Sequence, residues 1–317
     1  MPNDLKIAGV VLAAGVGSRL KPITDTIPKP LLPLADRPLL GLLADQLERA
    51  GVAEIFVNLH AHAQQIADYL DERESGVPLT HRVEERLTGP AGALATFTEE
   101  LRQFDAILVI SGDVVVDTPL HELLRRHIAR SADLTFGVVE TRSASRYGVL
   151  RIDADGRVTG AREKPAVPDH EVHPISAGVY CLAPSVIDLI ATNVGTTKDL
   201  DYAKHLAPWL LSAGRRIAAY PLPGYWRDIG TLDSLRQANL DALAGRVAGV
   251  HPGPAGDTVY VADSAQLGRN VRLWGCVVVG PHARVGNDVT LMDTVLLPGA
   301  QVCDGSLVMG GMVAATA

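Results

Sequence analysis

The chain has 317 residues, 47% of them hydrophobic and 21% charged, which fits a packed globular protein of one large or two ordinary domains. Its net charge of −7 excludes a general nucleic-acid surface, which needs a basic footprint, so nucleic acid is not an expected partner. No apolar run reaches the ~20 residues of a membrane helix, which excludes that class of membrane partner.

Residues 1–6 are polar and show no signal peptide. Cys181, Cys276 and Cys303 are odd in number and far apart, which predicts reduced thiols in a cytoplasmic protein, with no disulfide framework or zinc site. Residues 7–13 form an apolar run that predicts a buried parallel strand. It ends at Gly15 and Gly17, with Arg19, Lys21 and Lys29 close behind. Glycine lets backbone approach a bulky anion, and successive free N–H groups make an anion-binding concavity. By local chemistry two readings stand, a phosphate-cradling loop and a purely structural turn. The stretch fits neither the NTPase phosphate loop nor the dinucleotide fingerprint.

The spacing predicts a helix over 38–50 stopped by Gly51, a strand over 54–59, a helix over 62–72 and a strand over 77–83. His60 and His62 lack a third ligand nearby and read as surface or capping residues. In residues 84–94, Gly89 and Gly92 flank Pro90 at a loop-to-helix junction. Residues 105–111 predict a buried strand closed by Gly112 and Asp113, an acid at the carboxyl edge of a sheet, where α/β folds bind ligands. Asp117 is expected to cap a helix over 119–130. A strand over 133–140 follows, then a hairpin of 147–152 and 157–161 around the turn Asp153-Ala154-Asp155-Gly156. Glu163-Lys164-Pro165 by itself is a solvated loop. Helices are expected over 184–190, 199–211 and 233–243, and residues 247–257 are a Gly/Pro-rich linker.

From Val261 an aliphatic residue recurs every six positions, at Leu267, Leu273, Val279, Val285 and Leu291. A second series, Ala265, Val271, Val277, Ala283, Val289 and Val295, runs four residues behind. This is the form of a hexapeptide β-helix, with an amphipathic β-meander as the alternative. The phase slips after Leu296, with Val302 and Val308 one residue off the earlier series. So short a coil is expected to pack on the rest of the chain or on a partner subunit. His282 has no supporting acid, which speaks against acyl transfer.

The run Leu12-Ala13-Ala14-Gly15-Val16-Gly17-Ser18-Arg19-Leu20, with Pro22, Thr24 and Pro28-Lys29-Pro30, resembles the signature of sugar-phosphate nucleotidyltransferases, also called nucleotide-sugar pyrophosphorylases. The overall pattern is most similar to mannose-1-phosphate guanylyltransferase-like members with a hexapeptide-repeat tail. The resemblance implies an α/β fold: a Rossmann-like mixed, mainly parallel sheet with flanking helices, plus a short C-terminal left-handed β-helix. Residues 1–245 would be the catalytic domain, 246–257 a linker and 258–317 the β-helix.

The resemblance also implies roles. Leu12, Ala13, Ala14, Gly15, Gly17 and Gly112 would wrap the nucleotide, Arg19 would neutralise departing pyrophosphate, and Lys29 would contact phosphate at the reacting centre. Asp113 and Asp228, the latter in Gly224-Tyr225-Trp226-Arg227-Asp228-Ile229-Gly230-Thr231, would bind Mg²⁺. Gly89 to Ala93 resembles an element that holds the base. Glu85 just upstream favours GTP, because a carboxylate can accept from both N1–H and N2–H of guanine and adenine offers no such pair. Pro90 stands where the family often has Thr and leaves base choice open. Glu163 and Lys164 would grip the sugar and its phosphate, and Gly148 would give a backbone contact. Ser176 to Tyr180, with Gly178, resembles an Asn-Ala-Gly-Ile-Tyr strand, and Ser176 in place of Asn points to a changed sugar.

The implied reaction joins an NTP, GTP favoured, to a mannose-1-phosphate-like sugar 1-phosphate, giving an NDP-sugar and pyrophosphate. One alternative keeps the chemistry with ATP, dTTP or UTP and a glucose, heptose or valienol-type cyclitol 1-phosphate. Another is a non-catalytic nucleotide-sugar-binding regulatory homologue. Exposed β-helix edges suggest a homo-oligomer.

Overall fold

The computed structural model describes residues 5–168, 170–250 and 258–315. Residues 1–4 of the polar start and residues 251–257 of the expected linker lie outside the described residues. The chain divides into two compact units interleaved in sequence. The first comprises the chain up to Val16, Leu43–Val114 and Thr118–Trp226; the second comprises Gly17–Leu42, Val115–Asp117 and the chain from Arg227.

The first unit is built on a nine-stranded sheet: β1 (Ile7–Leu12), β2 (Glu54–Leu59), β3 (Leu79–Val83), β4 (Ala106–Ser111), β5 (Leu134–Thr141), β6 (Gly148–Ile152), β7 (Val158–Glu163), β8 (His173–Leu182) and β9 (Ile217–Pro221). Its centre is parallel: β1 lies between β2 and β4, and β3 adds beyond β2. Both β1 and β4 are apolar and almost wholly buried, as parallel strands covered on two faces must be. β8 then runs antiparallel, with β4 and β6 sharing one of its edges and β5 on the other. β7 pairs β6 as the expected hairpin, and β9 closes parallel to β5. The sheet is therefore mixed with a parallel centre.

Flanking helices are α1 (Leu39–Ala50), α2 (Ala63–Glu72), α3 (Leu120–Ala129), α4 (Ser185–Asn193) and α5 (Ala207–Ser212). The core of this unit joins Phe56, Phe97, Phe136, Tyr180 and Tyr202 with the aliphatic faces of the sheet. Each such side chain stabilises by ~1.5–3 kcal/mol on burial. Two expectations change. α3 starts at Pro119 with no side-chain cap, and the Asp117 carboxylate instead accepts from Ala248 N at 3.0 Å. The expected helix over 199–211 opens with a wide helical turn, Tyr202–Leu206, capped by Asp201, before α5 begins.

In the second unit, α6 (Leu232–Leu243) begins with a reciprocal capping box between Thr231 and Ser234. Its fully buried Asn239 accepts from Ala35 N at 2.7 Å and donates to Pro33 O at 3.1 Å. With Leu20, Leu32 and Leu34 buried, this pins the segment that carries Arg19 and Lys29. The C-terminal strands form three short parallel sheets, consistent with a left-handed β-helix. Leu273 pairs Leu291, and hydrogen bonds recur at a separation of 18 residues, three hexads per turn. In the next turn the separation falls to 17. Trp274 still pairs Met292, but Val278 pairs Val295, so the missing residue is at the Asp293-Thr294 corner and not after Leu296. Asp293 Oδ1 accepts from Cys276 N at 3.0 Å and closes the shortened corner. No helix among the described residues is long and apolar enough to cross a membrane.

Candidate functional site

The carboxyl ends of β1, β2 and β4 meet in a polar network that sequence reasoning missed. Ala13 N, just past β1, donates to Asn58 Oδ1 at 3.0 Å. Asn58, near the end of β2, donates from Nδ2 to Glu84 Oε2 at 2.9 Å. Glu84 Oε1 accepts from Thr88 N at 2.7 Å and from the Thr88 hydroxyl. Asn58 and Glu84 are both buried, whereas Glu85 beside them is exposed. The signal was present: Asn58 is the one polar residue in the run Ile-Phe-Val-Asn-Leu. His60 Nδ1 bonds the Glu84 carbonyl at 2.7 Å. Gly112 N donates to Leu12 O at 2.9 Å, and a Cβ on Gly112 would lie 2.5 Å from that oxygen, so only glycine fits. Leu12 and Ala13 thus lie against Gly112, with Asp113 half-buried just beyond, while Gly15 is exposed.

The loop from Thr88 to Gly92 is held by the chain itself. Thr88 O accepts from Leu200 N at 2.7 Å, and Leu200 O accepts from Ala91 N at 2.9 Å and Gly92 N at 3.3 Å. Gly89 has φ +92°, and a Cβ there would collide with the backbone of Asp199. Pro90 is exposed.

A second cluster surrounds Gly148. A Cβ on Gly148 would lie 2.7 Å from Ala203 Cβ, 3.1 Å from Glu163 Oε2 and 3.6 Å from Ser176 Cβ, so these groups border one small space. Lys164 has φ +44°, fixed by its N–H donating to Tyr147 O at 2.9 Å, and its Nζ is 3.1 Å from Glu163 Oε1. Burial and the negative charge of Asp201 push the Glu163 carboxyl up, against the pull of Lys164. Asp201 Oδ1 accepts from Ala203 N and Lys204 N, both at 2.8 Å. Gly178, φ +74°, sits in a bulge of β8, and Trp226 Nε1 donates to the adjacent Ala177 O at 2.8 Å.

In the second unit, Gly17 (φ +68°) makes a left-handed turn whose carbonyl accepts from the Thr24 hydroxyl at 2.9 Å. Lys29 lies beneath it, only 8% exposed, with its Cβ 3.2 Å from where a Gly17 Cβ would be. Arg19 and Asp228 converge on Gly230: a Cβ there would meet Asp228 Oδ2 at 2.7 Å and Arg19 Nη2 at 3.1 Å. Buried Asp241 accepts from Arg227 Nη2 at 3.0 Å, Arg246 Nε at 2.9 Å and Gln237 Nε2 at 2.9 Å, which fixes the neighbour of Asp228. Among the described residues no group of three or more His, Cys, Asp or Glu side chains is placed to hold a metal. Asp113 and Asp228 each carry carboxylate oxygens, the hard donors that Mg²⁺ takes.

The family model described as Nucleotidyl transferase matches residues 8–245. A UTP–glucose-1-phosphate uridylyltransferase of Synechocystis is 29% identical over 321 residues, covering 96% of this chain and 82% of that protein. A mannose-1-phosphate guanylyltransferase of Mycobacterium tuberculosis is 30% identical over 310 residues, covering 96% and 83%. A solved Bacillus anthracis structure, described as a glucose-1-phosphate thymidylyltransferase in complex with a sucrose, superposes with a TM-score of 0.65 at 25% identity, covering 74% of this chain and 94% of that one. With that family model matching most of its length, this chain belongs to the nucleotidyl transferase family.

Proposed function

We propose that this enzyme joins GTP to a mannose-1-phosphate-like sugar 1-phosphate and releases pyrophosphate. The observation that supports the phosphate chemistry of this reading is the convergence of Arg19 and Asp228 on Gly230, a cation for phosphate beside a carboxylate for its metal. A phosphate oxygen of the sugar 1-phosphate attacks the α-phosphorus in line. The new P–O bond forms as the bond to the β-phosphate oxygen breaks, and both electrons leave with pyrophosphate. No side-chain nucleophile is needed; positioning and charge neutralisation suffice.

Arg19 faces the leaving pyrophosphate and Lys29 the reacting phosphate. Lys164 holds the sugar phosphate and Glu163 accepts from ring hydroxyls. Gly148 and Gly178 let the backbone approach the sugar, and Leu12 to Gly17, Gly89 and Gly112 enclose the nucleotide. Asp113 and Asp228 are the carboxylates assigned to Mg²⁺, which when bound supplies charge neutralisation at phosphate. Glu85, exposed beside the anchored Glu84, is the residue that favours guanine.

A second reading keeps the chemistry but uses ATP, UTP or dTTP with a glucose, heptose or cyclitol phosphate. It is favoured by the small side chain of Ser176 beside Gly148. Trp274, Leu307 and Met309 are exposed on the coil, which supports self-association as part of the proposal. Light scattering of the purified protein tests that part: a multiple of 33.6 kDa is expected, and a monomer overturns it.

Pyrophosphate release from each NTP with each of these sugar phosphates tests the reaction. The GTP and mannose 1-phosphate pair is expected to give the highest kcat/KM. Arg19→Ala is expected to lower kcat by about 10²–10³, the size of losing one group that meets transition-state charge. Nucleotide binding with no release for any pair would favour a regulatory homologue.

A further inference from the structure

Asp241 stands where a carboxylate is least expected. It lies in the last turn of α6, at the negative end of a helix, where an acid is disfavoured. It is also buried, and a buried ion pair is weak evidence for stability, because taking charges out of water offsets much of their attraction. Asp241 nevertheless gathers three side chains. Its Oδ1 accepts from Arg246 Nε and Gln237 Nε2, both at 2.9 Å, and its Oδ2 accepts from Arg227 Nη2 at 3.0 Å. Arg246 and Gln237 engage one oxygen of the carboxylate, and the other is turned to Arg227.

Arg227 immediately precedes Asp228 on the short strand Trp226–Asp228. Neighbours on a strand point to opposite faces, which puts Arg227 on the side of Asp241 and Asp228 on the side of Gly230 and Arg19. Arginine pairs strongly with carboxylates, often through two parallel hydrogen bonds. A guanidinium one residue away, released from Asp241, would turn onto Asp228 and contend with a divalent cation for its oxygens. Arg227 is half-exposed, so packing alone does not hold it in place. Beyond Asp228 the chain has anchors of its own, in buried Ile229 and in the capping box of Thr231 and Ser234. What the bond to Asp241 decides is therefore where the charge of Arg227 goes.

We propose that Asp241 is a positioning residue for the metal: it commits the Arg227 guanidinium to α6 and keeps the Asp228 carboxylate open to Mg²⁺. This rests on the reading given above, in which Asp228 is a Mg²⁺ carboxylate. The role is one of charge placement, and no bond or proton changes at Asp241.

Mn²⁺ is the probe, in place of Mg²⁺. It is titrated into the full-length enzyme with saturating GTP, or whichever NTP proves best, and followed by water-proton relaxation, which quickens further when the ion joins a protein. The Mg²⁺ dependence of pyrophosphate release is read alongside. Asp241→Asn keeps the shape and drops the charge. It is expected to weaken Mn²⁺ binding by about tenfold or more, as losing a partner behind a metal ligand does, and to raise the Mg²⁺ needed for half-maximal release to match. Adding Arg227→Gln is expected to bring both back to within about threefold of the wild type. Adding Arg246→Gln removes the same charge from the other oxygen of Asp241 and is expected to restore neither. Equal rescue by both would mean that only net charge matters, and would overturn the inference. Arg227→Gln alone removes the competitor and leaves Asp241 with Arg246 and Gln237, so Mn²⁺ binding is expected within about threefold of the wild type. A loss of about tenfold there would make Arg227 a support for the site, and would overturn the inference even where Asp241→Asn fails to fold. Unchanged Mn²⁺ binding in folded Asp241→Asn would overturn it too. Pyrophosphate release by a wild-type enzyme that takes up no Mn²⁺ would overturn the assignment of Asp228 to the metal. No release with any pair would overturn the proposed reaction and the inference with it.

Discussion

The loop at Thr88–Gly92 and the cluster around Gly148, both in the sheet unit, are built on opposite plans. In the loop, Glu84 accepts from Asn58 and Thr88, and Leu200 O takes the N–H groups of Ala91 and Gly92. Its polar groups are satisfied by the chain, so what it offers a ligand is shape. Around Gly148, Glu163 and Ser176 are half-exposed acceptors, and Glu163 is pushed up by burial and by Asp201. That cluster offers a ligand hydrogen bonds. The contrast separates two kinds of loss: breaking the first region removes stability, and breaking the second removes binding.

The largest effect should come from Glu84→Ala. It leaves the buried Asn58 amide and the Thr88 N–H without their acceptor. Urea unfolding is expected to show a loss of about 2–4 kcal/mol, from donors left unsatisfied. Glu163→Gln should behave in the other way, with the KM for sugar phosphate raised about tenfold, ~1.4 kcal/mol, and unfolding changed within about ±0.5 kcal/mol. A Glu163→Gln variant that unfolds early with its KM intact would erase the contrast.

Titration sharpens it further. Glu163 is raised, so its acceptor form is lost as pH falls through that raised value, and the KM for sugar phosphate should climb there. Asp201→Asn removes the neighbouring negative charge and keeps an acceptor for Ala203 N and Lys204 N. The inflection in the KM–pH profile is expected to move to lower pH, and an upward shift would contradict the assignment. The smallest effect is Pro90→Thr, at an exposed position of the satisfied loop, expected within about 0.5 kcal/mol in unfolding.

Much of this architecture was legible in the sequence. β1 and β4 announce themselves as unbroken apolar runs closed by glycine, and the coil as a six-residue period, because burial on both faces and stacking of hexads impose those patterns. The partners of polar groups were not legible. Glu84 and Glu85 are adjacent and chemically alike, and only the direction of the chain after β3 decides that Glu84 turns inward to Asn58. Asp117 sits where a helix cap should, but Ala248, far along the chain, supplies its donor. The β8 bulge escaped for a related reason: Gly178 marks a bend, and only the register with β5 shows that it brings Ser176 to Tyr180. At the coil, periodicity detected the lost residue and hydrogen bonding placed it, at Asp293.

The most direct measurement follows the α-phosphorus. GTP labelled with ³²P at that position is incubated with mannose 1-phosphate, Mg²⁺ and the full-length enzyme. The label is expected to move into GDP-mannose in step with pyrophosphate release. Label recovered only as GTP, GDP or GMP, with the other NTP and sugar-phosphate pairs equally inert, would contradict it.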